Sequence, residues 1–127
     1  MIMIVDDDVG MAETCAMMLE AYGFEVSTAS SGVEALFKLN GTSPELLITD
    51  SKMPGMSGSE LCNKLNARLM STPVPVLMMS ASSRREIPEP ENYNAFLRKP
   101  FSAENFLFEV DRLLPGVRTR PNNLMRV

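Results

Sequence analysis

Short apolar runs alternate along the chain with segments whose apolar residues recur at helical spacing. Residues 1–5, 25–28, 46–49, 74–79 and 95–98 form the runs and predict five strands. Between them, Met11, Cys15, Met18, Leu19 and Tyr22 fall on one helical face. So do Val33, Leu36 and Phe37, then Leu61, Leu65 and Leu69, and finally Phe106, Leu107, Val110 and Leu114. Each stripe reads as the core face of a helix. Strands that are nearly uniformly apolar and separated by helices imply a parallel sheet covered on both sides. The expected architecture is a doubly wound α/β domain with a five-stranded parallel sheet flanked by helices.

The segment before the last strand breaks the pattern. Residues 82–94 contain Pro88 and Pro90, and only residues 82–87 could begin a helix, so a short or irregular fourth helix is expected there. Gly23, Gly41 and Gly116 suit helix ends, while Ser57 and Ser102 suit the N-caps of the helices they precede. The domain is expected over residues 1–116, with residues 117–127 as a C-terminal tail.

Composition narrows the chemistry. With 127 residues, 45% of them hydrophobic and 22% charged, the chain is long enough to bury a core as one domain. Its apolar runs are too short to span a bilayer and no basic region precedes an apolar stretch, which predicts a cytoplasmic protein without a membrane partner. A net charge of -4 argues against a nucleic-acid surface, and the acid-free tail with Arg118, Arg120 and Arg126 reads as a solvated end. Cys15 and Cys62 lie in helical segments without C-x-x-C pairing and read as reduced core thiols. The chain contains no histidine, which removes Ser-His-Asp hydrolases, Cys-His proteases, His-ligated zinc enzymes and phosphohistidine carriers.

In an open parallel sheet, ligands bind beyond the carboxyl ends of the strands. There the first strand leads into Asp6-Asp7-Asp8, the third into Asp50, the fourth into Ser80 and the fifth into Lys99-Pro100. Crowded carboxylates repel one another unless a cation neutralises them, and an all-oxygen donor set suits magnesium. Asp7 and Asp50 are the expected direct ligands, with Asp6 acting through water. Asp50 can attack phosphorus once a metal neutralises the phosphoryl oxygens, giving an acyl phosphate. Ser80 as hydroxyl and Lys99 as ammonium would serve the remaining phosphoryl oxygens. Each residue also has a plainer reading, because acids after strands cap helices, serines start turns and Lys-Pro is a common loop pair.

Taken in order, residues 2–7, "LLITDSKMPGMSG" (46–58), "PVLMMSA" (75–81) and "FLRKP" (96–100) resemble the receiver domain of two-component response regulators, over essentially residues 1–114. The resemblance implies a flavodoxin-like fold of the chemotaxis-regulator kind and a phosphorylation-dependent signalling switch rather than an enzyme. It implies Asp50 as phosphoacceptor, Asp6 and Asp7 as the acidic magnesium pocket, and the Lys52 backbone carbonyl as a further metal ligand. Ser80 would act as the switch hydroxyl, Lys99 as the charge sensor and Phe96 as an aromatic that rotates inward, although Phe96 also suits ordinary core packing. Lys99-Pro100 is where the family usually has a cis peptide, and Lys52 and Ser82 occupy variable positions beside the pocket. Residues 82–95, "SSRREIPEPENYNA", are shorter than the family's usual fourth-helix segment.

Lacking histidine, the chain needs an outside phosphodonor, so a sensor histidine kinase or a histidine phosphotransfer protein is the implied partner. Two alternatives stand beside this reading. One is a receiver-like interaction module that is not phosphorylated in its biological setting. The other is a haloacid-dehalogenase-type phosphatase with Asp6 as nucleophile and Asp8 as acid/base, which Gly10 and the unexplained Asp50 stretch disfavour.

Overall fold

The computed structural model describes residues 1–68, 73–82 and 93–114. Strands and helices alternate as β1 (Ile2–Val5), α1 (Val9–Glu20), β2 (Val26–Ala29), α2 (Gly32–Leu39), β3 (Leu46–Asp50), α3 (Gly58–Arg68), β4 (Val76–Ser80), β5 (Ala95–Arg98) and α4 (Ala103–Leu113). All neighbouring strands pair in parallel in the order β2-β1-β3-β4-β5. The five strands fall where the apolar runs predict them, within two residues at each end. The expected irregular fourth helix, Leu69, Gly116 and the tail lie outside the described residues.

Alternation along the strands builds two cores, one on each face of the sheet. Ile2, Ile4, Leu46, Ile48, Leu77, Met79, Ala95 and Leu97 pack with α1 and α4 around Cys15, Leu19, Phe106 and Val110. Met3, Val5, Leu47, Val76 and Met78 pack with α2 and α3 around Leu36, Leu39, Leu61 and Leu65. Each fully buried large apolar side chain contributes about 1.5–3 kcal/mol, so these two layers are the dominant stabilising element.

One helical face differs from the expectation. Val33 and Phe37, expected in the core, are 67% and 83% exposed, while Gly32, Ala35, Leu36 and Leu39 face inward. Two helical stripes compete on α2, and the one built on small residues wins. An added Cβ at Gly32 would lie 2.6 Å from Met56 Sδ, so a larger side chain at this position would displace the Met56 side chain.

Helix starts are capped as expected at Ser57 and Ser102, whose hydroxyls accept from the Glu60 and Asn105 amides. Asp8 and Ser31 cap α1 and α2 in the same way. Gly23 and Gly41 have φ of 88° and 81°, the left-handed region that glycine enters without strain. The Lys99-Pro100 peptide is cis.

Cys15 and Cys62 are buried and unpaired, and burial pushes their thiols up to about 11 and about 12 respectively. The thiolate is the reactive form, so both should resist a thiol-specific reagent at pH ~8 in the native protein and react once it is unfolded. Rapid native labelling of either cysteine would contradict this packing.

Candidate functional site

The order of strands reverses between β1 and β3, and the crevice beyond their carboxyl ends is where this architecture binds ligands. Strand alternation aims the polar residues into it. Asp6 continues the Ile2-Ile4 stripe, Asp50 the Leu46-Ile48 stripe and Lys99 the Ala95-Leu97 stripe, all belonging to the α1/α4 face. The three side chains therefore meet where the apolar core ends.

Their contacts are close. Lys99 Nζ donates to Asp6 Oδ2 at 2.7 Å and lies 3.4 Å from Asp50 Oδ1, so one ammonium bridges two carboxylates. The other Asp6 oxygen accepts from the Asp8 amide at 3.0 Å. Asp6 is buried with both oxygens engaged, whereas Asp7 is exposed. Asp6, Asp7 and Asp50 each bring a carboxylate oxygen within 4.8 Å of the others, a donor set that fits a hard divalent cation.

Burial, above all, holds the Asp50 carboxyl above the usual carboxylate range, and the charges of Asp6 and Asp7 add to it. Lys99 pulls the other way without cancelling the effect. Burial alone would lower Lys99, yet its hydrogen bond to Asp6 and the charges of Asp50 and Asp6 outweigh that and raise it above the ordinary lysine value. Lys99 is thus held in its charged form, one ammonium among three carboxyl groups.

The backbone ties this pocket together. The Ser51 amide donates to Met79 O, the Gly58 amide to Ser51 O, and the Lys99 amide to Ser80 O. Ser80 is buried, and its hydroxyl accepts from the Ser82 amide at 3.0 Å. Across the rim, Lys52 Nζ donates to Ser82 Oγ at 3.1 Å. Phe96 stands apart from the carboxylates: it pairs in register with Met78 and packs, half-buried, against Tyr93 with ring centroids 5.9 Å apart. Ser80 and Phe96 share the α2/α3 side of the sheet by strand alternation.

The structure therefore brings Asp6, Asp7, Asp50 and Lys99 together directly, with Ser80 and Lys52 linked through Ser82. Sequence reasoning left one role generic and missed one contact. Asp8 serves as the cap of α1, with its side chain accepting from the Met11 amide, and an acid immediately before an apolar helical stripe was the available signal. Tyr93 follows a proline-containing stretch of sequence, where periodicity carries no information about a ring contact.

Comparison with known proteins decides the family. Residues 2–111 match the response regulator receiver domain. The chain belongs to this family. Its relatives include the phosphate regulon transcriptional regulatory protein PhoB of Rhizobium meliloti, 34% identical over 89% of this chain and 51% of the relative. Another is the transcriptional regulatory protein CpxR homolog of Haemophilus influenzae, 33% identical over 99% of this chain and 55% of the relative. The receiver thus spans about half the length of these curated relatives. Among solved structures, a putative response regulator from Chloroflexus aurantiacus superposes with a TM-score of 0.76 at 31% identity, covering 89% of this chain and 95% of its own. The receiver domain of the hybrid histidine kinase CckA gives 0.73 at 31% identity, covering 89% and 97%. Among the described residues of this receiver, no helix is long and apolar enough to cross a membrane.

Proposed function

We propose that this receiver is the phosphorylation switch of a two-component phosphorelay, with Asp50 as the phosphoacceptor. The observation that carries the reading is the bridging of Asp6 and Asp50 by Lys99 at the edge of a three-carboxylate cluster. This arrangement leaves a nucleophilic carboxylate beside one fixed cation and a site for a second.

Asp7 and Asp50 would hold magnesium directly, with the Lys52 carbonyl as a further ligand and Asp6, whose oxygens already accept two hydrogen bonds, acting through water. Bound there, magnesium supplies charge neutralisation and alignment of phosphoryl oxygens. An Asp50 carboxylate oxygen forms the new bond to phosphorus as the bond from phosphorus to the donor's leaving atom breaks, and the electron pair departs with the leaving group. Lys99 contributes its ammonium to a phosphoryl oxygen, and Ser80 its hydroxyl, exchanging the Ser82 amide contact for the phosphoryl group. Modified Asp50 gains charge and acceptor oxygens, and Ser80 and Phe96, on the same side of the sheet, transmit the change.

The donor is a sensor histidine kinase or a histidine phosphotransfer protein in the cytoplasm, because the chain contains no histidine of its own. The switch acts by changing state rather than by turning over a substrate. The phosphatase alternative loses support because Asp8, its acid/base, is engaged as the α1 cap.

Incubation with acetyl phosphate and magnesium should add the mass of one phosphoryl group to the intact protein. EDTA or Asp50→Asn should reduce incorporation at least a hundredfold while the circular-dichroism spectrum stays unchanged. Folded protein that gains no mass at saturating donor and magnesium would refute the phosphoacceptor role and favour an unphosphorylated interaction module.

A further inference from the structure

Opposite the α1/α4 layer, α2 turns Val33 and Phe37 to solvent at 67% and 83% exposure, one helical turn apart. They form one wall of a groove of about 470 Å³ whose floor includes Leu36 and Met56 and whose other wall carries Lys64 and Arg68 of α3. Sites that accept ligand groups commonly have volumes of ~300–1,000 Å³. Val33 and Phe37 are thus two exposed apolar side chains beside a concavity lined in part by apolar groups.

The charge on the rim selects the occupant. Lys64 and Arg68 also lie one helical turn apart, and among the described residues neither makes an ion pair. Lys38 of α2 is engaged elsewhere, with Glu34 and the Thr28 carbonyl. A chain of net charge -4 thus presents a local basic pair beside an apolar wall. The acid-free C-terminal tail, with Arg118, Arg120 and Arg126, has the wrong sign to fill it.

We infer that the α2/α3 groove is a docking site for an amphipathic helix of a partner protein, with apolar residues facing Val33, Leu36 and Phe37 and acidic residues meeting Lys64 and Arg68. This is the helix-in-groove mode, in which anchors one turn apart fill an apolar cleft and flanking charge sets orientation. Met56 links the groove to the chain segment that follows Asp50. That residue lies on the loop leaving Asp50, and it packs against Gly32 of α2. Docking itself requires no phosphorylation.

The test uses the unmodified full chain and a fluorescein-labelled synthetic helical peptide with leucines one turn apart flanked by glutamates. A peptide of the same leucines with lysines replacing the glutamates is the control. Anisotropy should show the glutamate peptide binding at least tenfold tighter than the lysine peptide. Phe37→Ser, a change at an exposed side chain, should weaken it at least tenfold, and the double variant Lys64→Glu/Arg68→Glu should reverse the preference. Equal binding of the two peptides, or binding indifferent to Phe37→Ser, would overturn the inference. Sedimentation showing a dimer that Phe37→Ser dissociates would assign the face to a second copy instead. Phe37-dependent binding to phosphatidylglycerol vesicles without binding of the glutamate peptide would assign it to a lipid surface.

Discussion

Replacing Lys99 by methionine should destabilise the magnesium-free protein by about 3–5 kcal/mol, the usual cost of removing one partner of a buried ion pair. The expectation rests on Asp6, whose side chain is 1% exposed and whose Oδ2 lies 2.7 Å from Lys99 Nζ. Methionine fills nearly the same length but leaves the buried carboxylate without its counter-charge, beside Asp50 and Asp7. For a domain with total stability of ~5–15 kcal/mol the loss is large. Magnesium should restore a substantial part, because a cation that binds the folded carboxylates preferentially stabilises the folded state. Urea unfolding in EDTA and in magnesium measures both effects.

The sign of the pH dependence follows from Lys99 itself. Its folded-state pKa is raised, so its contribution is fully present below the ordinary lysine value and disappears only as pH rises through the higher folded value. The gap between parent and variant should therefore hold across the neutral and mildly alkaline range. A variant as stable as its parent in EDTA would show that the Asp6 charge is not held by Lys99. A deficit indifferent to magnesium would count against the three carboxylates as its site.

Gly58→Ala should be nearly as damaging for a steric reason. An added Cβ would fall on the Asp50 carbonyl oxygen, well inside contact distance, and lie 3.2 Å from the Asp50 carbonyl carbon and 3.0 Å from Met78 Sδ. The obstacle is strand backbone, which cannot move aside without displacing Asp50, so a loss of about 3 kcal/mol is expected, the upper range for overpacking. Gly32→Ala is the informative comparison. There the new Cβ meets the Met56 side chain, whose Sδ would be 2.6 Å away but can swing toward the open groove. Alanine also favours the helix by up to ~1 kcal/mol, so the net change at Gly32 should stay within about 1 kcal/mol. If urea unfolding ranks Gly58→Ala as the milder of the two, α3 is not seated on the Asp50 backbone in the way described.

Much of this receiver was legible in its sequence because the signals were periodic and local. Apolar runs such as LLIT marked strands, a serine before a helical stripe marked a cap at Ser57 and Ser102, and polar residues at strand ends marked the site rim. Fixed alternation and the one-sided chemistry of a parallel sheet suffice to make Asp6, Asp50 and Lys99 neighbours. Tertiary structure alone decided which of two stripes on α2 faces inward. Val33 and Phe37 were the bulkier apolar candidates, but Gly32, Ala35, Leu36 and Leu39 face inward, with Gly32 close against Met56, because the space beside the sheet is set by its neighbours and not by side-chain size. It also decided how charge is shared in the pocket. Residue types named the three acids and the lysine. Only their distances and burial showed that Lys99 bridges Asp6 and Asp50, and that Asp6 has both oxygens engaged, because electrostatics depends on separations that a linear sequence does not contain.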